Sequence, residues 1–235
     1  MTIRSRLDRI ASVWHLVTAV VVVVGLTWQV VLVIQGVNVL VEPSGQLPAV
    51  STRIIRFLSF FTVQSNILVA ITSAALVIHT DRAGRLWRVL RLDALLGITV
   101  TGVIYSSLLR GVVELHGAAA VTNALLHYVG PLMAVLGWFL FGPRPRIEEN
   151  TLMLSLIWPG LYVGYTFAHG AIKHWYPYPF IDVNTHGYLT VIRNGAGLIV
   201  LLVGVGALFM YLDHRMLQAP LPGQTSTTES LKRPH

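Results

Sequence analysis

The sequence has no cysteine, and only 11% of its 235 residues are charged. The first absence excludes disulfides and thiolate metal sites. The second excludes an ordinary soluble domain, in which about a quarter of residues carry charge. Acidic residues are scarcest, with 10 Asp and Glu against 17 Lys and Arg and a formal net charge of +7. That surplus forms no single patch. It flanks apolar runs, which speaks for topology and anionic headgroups and against nucleic acid. The chain also lacks an internal repeat and any stretch that reads as a separate soluble domain. What is abundant is apolar surface: 54% of residues are hydrophobic and the mean hydropathy is +0.66. Several runs approach the roughly 20 residues of a bilayer-crossing helix.

Six such runs lie at about 13–34, 54–78, 92–109, 118–141, 152–168 and 187–212. The expected fold is therefore all-α: a single polytopic membrane domain of six transmembrane helices over residues 1–212, followed by a polar tail, 213–235. The first run is longer than a signal-peptide core and has no small-residue cleavage site, so an uncleaved anchor is expected. Trp158-Pro159-Gly160 interrupts the fifth run. With six crossings both termini share a side. That side carries Arg4, Arg6, Arg9, Arg82, Arg85, Arg88, Arg91, Arg144, Arg146, Arg215, Lys232 and Arg233, and the other only Arg53, Arg56, Arg110 and Lys173. The positive-inside rule then makes the termini cytoplasmic and the location the cell membrane.

Polar residues inside apolar runs mark function more often than surface ones do. On the second run, Ser59, Thr62, Ser65, Asn66 and Ser73 share one helical face and Gln64 points away. On the fourth, Asn123 and His127 precede Gly130-Pro131. Proline cannot donate the bond that the His127 carbonyl would accept, so a kink with a freed acceptor is expected there. Thr62 and His127 each lie about 12–14 Å below the outer end of their run at 1.5 Å per residue, and the two are expected to meet. Tyr105, Arg193 and a stripe of Tyr162, Tyr165, Thr166 and His169 fall in the same half, beneath the aromatic loop Trp175–Phe180. The other half reads as poorer in polar groups. The pattern suggests a pocket reached from the outer leaflet.

Phe60-Phe61-Thr62, Leu126-His127 with Pro131, and the loop Trp175-Tyr-Pro-Tyr-Pro-Phe180 resemble the androgen-induced-gene family, over roughly residues 13–212. Its characterised animal members are multi-pass hydrolases of fatty acid esters of hydroxy fatty acids, with an intramembrane threonine nucleophile and a histidine partner. The resemblance implies Thr62 as nucleophile, His127 as general base, a lipid substrate drawn from the bilayer and no cofactor. Gln64-Ser65-Asn66 is closer to the bacterial branch. On that reading Asn66 and Ser65 are candidate oxyanion donors and Asn123 a candidate for orienting the imidazole. Arg193, Tyr105, Tyr165, His169 and Trp175 are candidate substrate contacts.

Simpler roles compete. Thr62 can satisfy a helix carbonyl, Asn66 and Ser65 can join helices, and His127 can be a packed core histidine. Arg193 can pair with Asp182, Trp175–Phe180 can be an interfacial belt, and Arg82–Arg91 a topology signal. Two other functions use the same residues. A lipid or solute transporter needs the cavity without the chemistry. A b-type cytochrome would ligate haem through His15 and His79 on one side and His127, His169 and His186 on the other.

Overall fold

The structure is a computed structural model that describes residues 3–37 and 45–216. Pro43 of the first loop and Pro220, Pro222 and Gly223 of the tail lie outside the described residues. Among the described residues there is no strand, and six helical runs are long and apolar enough to cross a membrane: Arg6–Gln35, Phe61–Ile78, Arg85–Leu109, Gly117–Phe141, Glu149–Lys173 and Val183–Arg215.

The elements are α1 (Ile3–Gln35), α2 (Val50–Leu58), α3 (Phe61–Ile78), α4 (Arg85–Ile104), α5 (Gly117–Ala124), α6 (Gly130–Phe141), α7 (Glu149–Ser155), α8 (Ile157–Lys173) and α9 (Val183–Arg215). Wider π turns at Tyr105–Leu109 and Leu125–Val129 extend α4 and link α5 to α6. Trp14 and His15 of α1 pack on Phe141, and Arg144 reaches Met216. The start of α1, the end of α6 and the end of α9 thus share one end of the bundle, here the terminal end. At the opposite, loop end, Arg53 Nη1 donates to the Val33 and Ile34 carbonyls at 2.8 and 3.0 Å. A cation there serves carbonyls at the α1 C-terminus.

α3 is central, with α1 and α4 as its closest neighbours. Val22, Val69, Ala94, Ile98 and Ala134 fill the space between them. A second core joins Leu92, Leu95, Leu96 and Trp138 to Phe209 of α9. α9 is the loosest element: 11% of its apolar window is buried inside the protein, against 50% for α4. It rests on α4, α7 and the 3-10 turn Pro179–Ile181.

Several boundaries differ from expectation, and α1 starts ten residues early, at Ile3. The second run is not one helix but breaks at Ser59–Phe60. The fifth breaks at Leu156, which leaves Pro159 in the first turn of α8, where a missing N–H costs no helical bond. α4 starts at Arg85, so Arg88 and Arg91 are helical rather than part of a connector. α9 runs to Arg215, which places Asp213 in the bundle instead of the tail.

Candidate functional site

The break between α2 and α3 determines the chemistry at the loop end. Nothing in Leu58-Ser-Phe-Phe-Thr62 forbids a helix, yet the chain leaves helical geometry there and restarts at Phe61. Backbone groups released in apolar surroundings need partners. Three tyrosines supply them. Tyr162 Oη donates to the Ser59 carbonyl at 3.1 Å. Ser59 Oγ donates to the Ile55 carbonyl at 2.7 Å, so in its 2.6 Å contact with Tyr165 the tyrosine is the donor. Thr62, second residue of α3, has a backbone N–H with no helical acceptor. It donates to Tyr178 Oη at 3.2 Å, and the same phenol lies 3.3 Å from Thr62 Oγ1. Because that oxygen already accepts from the backbone, its proton is free for Thr62 Oγ1 or for a ligand. Burial pushes the Tyr178 phenol up, against the pull of its hydrogen bonds to Thr62, so it stays a donor.

The loop that brings Tyr178 inward therefore packs its rings over the start of α3. Trp175 and Tyr178 meet Phe60 edge-on at 5.9 and 5.6 Å, and Tyr178 stacks on Phe180 at 5.3 Å. Tyr176 lies directly over Gly170, where a Cβ would stand 2.1 Å from its ring, so a side chain at 170 would displace it.

His127 sits in the Leu125–Val129 π turn, a distortion often found at functional sites. Its Nδ1 is 3.1 Å from the Asn123 carbonyl. A carbonyl only accepts, so Nδ1 carries the proton and the neutral ring presents Nε2 as its basic atom. The Tyr105 ring lies over it at 4.1 Å, and Asn123 Nδ2 donates to Tyr105 Oη at 2.6 Å. Asn123 thus orients the imidazole through its backbone directly and through Tyr105 indirectly.

Asn66 joins the two halves of the site. Its Nδ2 donates to the Thr62 carbonyl at 2.8 Å and to the Leu126 carbonyl at 3.1 Å, which stitches the Thr62 turn to the turn carrying His127. The acceptor released near Pro131 and captured here belongs to Leu126; the His127 carbonyl lies beside Gly102. Both Asn66 donor hydrogens are spent in this bridge. Ser65 donates to the Phe61 carbonyl at 2.8 Å. Neither residue has a donor left for an oxyanion, which corrects that expectation. Thr62 and His127 share no hydrogen bond.

A cavity of about 100 Å³ opens from Thr62 between α3, α4, α8, α9 and that loop. Its wall is largely apolar, with Val100, Ile104, Phe167, Leu198 and Leu202 among the side chains. Thr62, Thr101, Tyr162 and Tyr178 are polar exceptions. Thr101 is buried, and its hydroxyl has no partner. His127 stands outside this lining, as do the five expected substrate contacts. Tyr105 belongs to the His127 cluster. Tyr165, His169 and Trp175 stack around Ser59 and Phe60. Arg193 is exposed on α9 beside Tyr188 and Leu189, with no hydrogen bond or ion pair among the described residues. It does not pair with Asp182, which instead caps α9 by accepting from Asn184 N at 2.8 Å and Thr185 Oγ1 at 3.0 Å.

The histidines of the haem reading are scattered among different partners. His15 is buried against Phe141 while His79 is exposed at the end of α3; His127 lies on Tyr105 and His169 on Tyr165 and Trp175. Sequence reading missed Tyr178, Thr101 and the role of Tyr162. Only Tyr178 had a signal, in the alternation Tyr-Pro-Tyr-Pro, which holds a short loop stiff enough to aim a ring.

The polar terminal end was also missed. His15, Thr72, Ser73, Arg91, Asp93 and Asp213 are all buried there, contrary to the expectation of a poorer half.

These features define a class: a multi-pass helical membrane protein with a mostly apolar cavity headed by a threonine and a tyrosine. No protein-family model, curated protein or solved structure matches the chain.

Proposed function

We propose that the protein is an intramembrane lipid-ester hydrolase, with Thr62 as nucleophile and His127 as general base. The substrates are fatty acid esters of hydroxy fatty acids or chemically related lipids, as the resemblance to the androgen-induced-gene family implies. The observation that carries the reading is the placement of the Thr62 hydroxyl at the head of an apolar cavity beside a phenolic donor. In the reaction, Thr62 Oγ attacks the ester carbonyl and passes its proton to His127 Nε2. Tyr178 Oη donates to the oxyanion, a role for which Asn66 has no hydrogen left. The carbon–oxygen bond to the alcohol breaks, and the imidazolium protonates the leaving alkoxide. Water, deprotonated by His127, then releases the fatty acid from Thr62. The first step needs the Thr62 hydroxyl to turn from Tyr178 towards His127, or one water to carry the proton between them. On this reading the termini face the cytoplasm and the membrane is the cell membrane, which the distribution of basic residues favours.

A second reading, lipid binding or transport without chemistry, is favoured by one observation: the Thr62 hydroxyl is engaged by a phenol rather than a base. One experiment separates the two. A fluorophosphonate or activated-ester reagent is expected to label the wild type, and Thr62→Ala to lose both labelling and turnover, by about a thousandfold or more. Fatty acid binding is expected to persist in the variant. Equal labelling of both proteins refutes the nucleophile.

A further inference from the structure

The terminal end holds a cation that the fold does not neutralise. Arg91 is 7% exposed, and one nitrogen, Nη1, reaches Thr72 Oγ1 at 3.4 Å. Its Nε and Nη2 have no partner. Those two N–H groups lie along one edge of the guanidinium, the edge that grips two oxygens of a single oxyanion. Asp93, the nearest acid in sequence, is two residues along α4 and faces elsewhere. No ion pair joins the two. A buried cation without a counter-charge is expensive, and a bound anion is the direct remedy.

Arg91 also lines a small pocket between α4 and the connector from α6 to α7, together with Trp87, Arg88, Trp138 and Arg146. Arg88 and Arg146 pair with Glu148 at 2.7 Å and with Asp81 at 2.9 Å. Each pair uses a terminal nitrogen, and both arginines keep a buried Nε without a partner. Three arginines that each keep a buried, unused donor therefore line one space of about 20 Å³. That space takes part of a tetrahedral anion and no more. A group tethered from outside fits better than a free solute. At the adjoining start of α4, Leu86 is 72% exposed, and the half-buried indole of Trp87 is the kind of ring that settles at headgroup level.

We propose that this pocket binds the phosphate of an anionic phospholipid in the leaflet at the terminal end of the bundle. The phosphate sits against Trp87 and Trp138, and the Arg91 side chain shifts to turn its unused edge towards two of its oxygens. The site is separate from the Thr62 cavity and stands or falls without it.

The test is native mass spectrometry of the full-length protein in detergent, titrated with phosphatidylglycerol, phosphatidylcholine or inorganic phosphate. The wild type is expected to retain phosphatidylglycerol in preference to phosphatidylcholine. Arg91→Lys keeps the charge and removes the two-pronged edge, and that preference should fall about tenfold, the worth of one charge-assisted hydrogen bond. Should Arg91→Lys fail to fold, the double variant Arg88→Gln, Arg146→Gln alters half-exposed side chains and should show a similar loss. Equal retention of the two lipids by the wild type overturns the proposal. So does an undiminished preference in the folded variants, or retention of inorganic phosphate without phosphatidylglycerol.

Discussion

The two ends of this bundle bury polar side chains for different reasons. At the loop end the polar groups beside the α2–α3 break answer one another: Tyr162 and Tyr165 serve Ser59, Tyr178 serves Thr62, and Asn66 serves two carbonyls. At the terminal end the match is incomplete, although Asp213 accepts two backbone N–H groups. Ser73 Oγ, Arg91 Nε and Nη2, and Asp93 Oδ1 are buried without partners. Polarity beside the break is thus the consequence of interrupting a helix, and it holds the Thr62 hydroxyl beside the Tyr178 phenol. Polarity at the terminal end is only partly accounted for from within, and the phosphate proposed above would complete it around Arg91.

The comparison is broken most severely by removing the phenol. Tyr178→Phe keeps the ring packing on Phe60 and Phe180 and removes the donor beside Thr62. Turnover of an ester substrate is expected to fall about a hundredfold, in line with loss of one oxyanion donor. Steady-state assay in reconstituted vesicles measures it; an unchanged rate would assign Tyr178 to the helix break alone.

Next in size is Gly97→Ala, between the two ends. A Cβ at 97 would stand 2.6 Å from Ser65 Oγ and 2.9 Å from the Trp158 ring, which is stacked on Phe61. Overpacking of about 1–3 kcal/mol is expected, read as a lowered thermal midpoint. A midpoint equal to that of the wild type would show that α8 can withdraw without cost.

The smallest effect sharpens the contrast. Asn66→Ala removes the bridge between the Thr62 and Leu126 carbonyls at about 1 kcal/mol, or more if those carbonyls stay buried and unpaired. Hydrogen exchange should rise in the Leu125–Val129 turn and the start of α3 and stay unchanged around Arg91. A uniform rise would mean that the two ends are not independent.

The architecture was legible because a bilayer demands length and apolarity in uninterrupted runs, and six runs met that demand. The inward face of α3 was legible by period: Thr62, Ser65, Asn66 and Ser73 are buried, and Gln64, half-buried, turns instead to Trp158. The break at Ser59–Phe60 was not legible, since no proline or glycine marks it and its partners come from residues about 100 positions further along the chain. Arg91 was hidden for another reason. It ends a series spaced by three, Arg82, Arg85, Arg88 and Arg91, that looks like a solvated connector; the helix begins earlier and carries the last of them into the core. Tyr178 lay in a loop whose prolines signal stiffness, but no periodicity there says which way a ring will turn.

The Asp213 carboxylate reaches out of α9 to accept the backbone N–H groups of Arg146 and Ile147, the latter at 2.8 Å. The final helix therefore latches onto a connector synthesised some 66 residues before it. Until that helix has been made, those amides lack this acceptor. Shortening the polypeptide ahead of position 213 would leave the latch permanently open, whereas an affinity tag appended beyond the helix leaves it untouched.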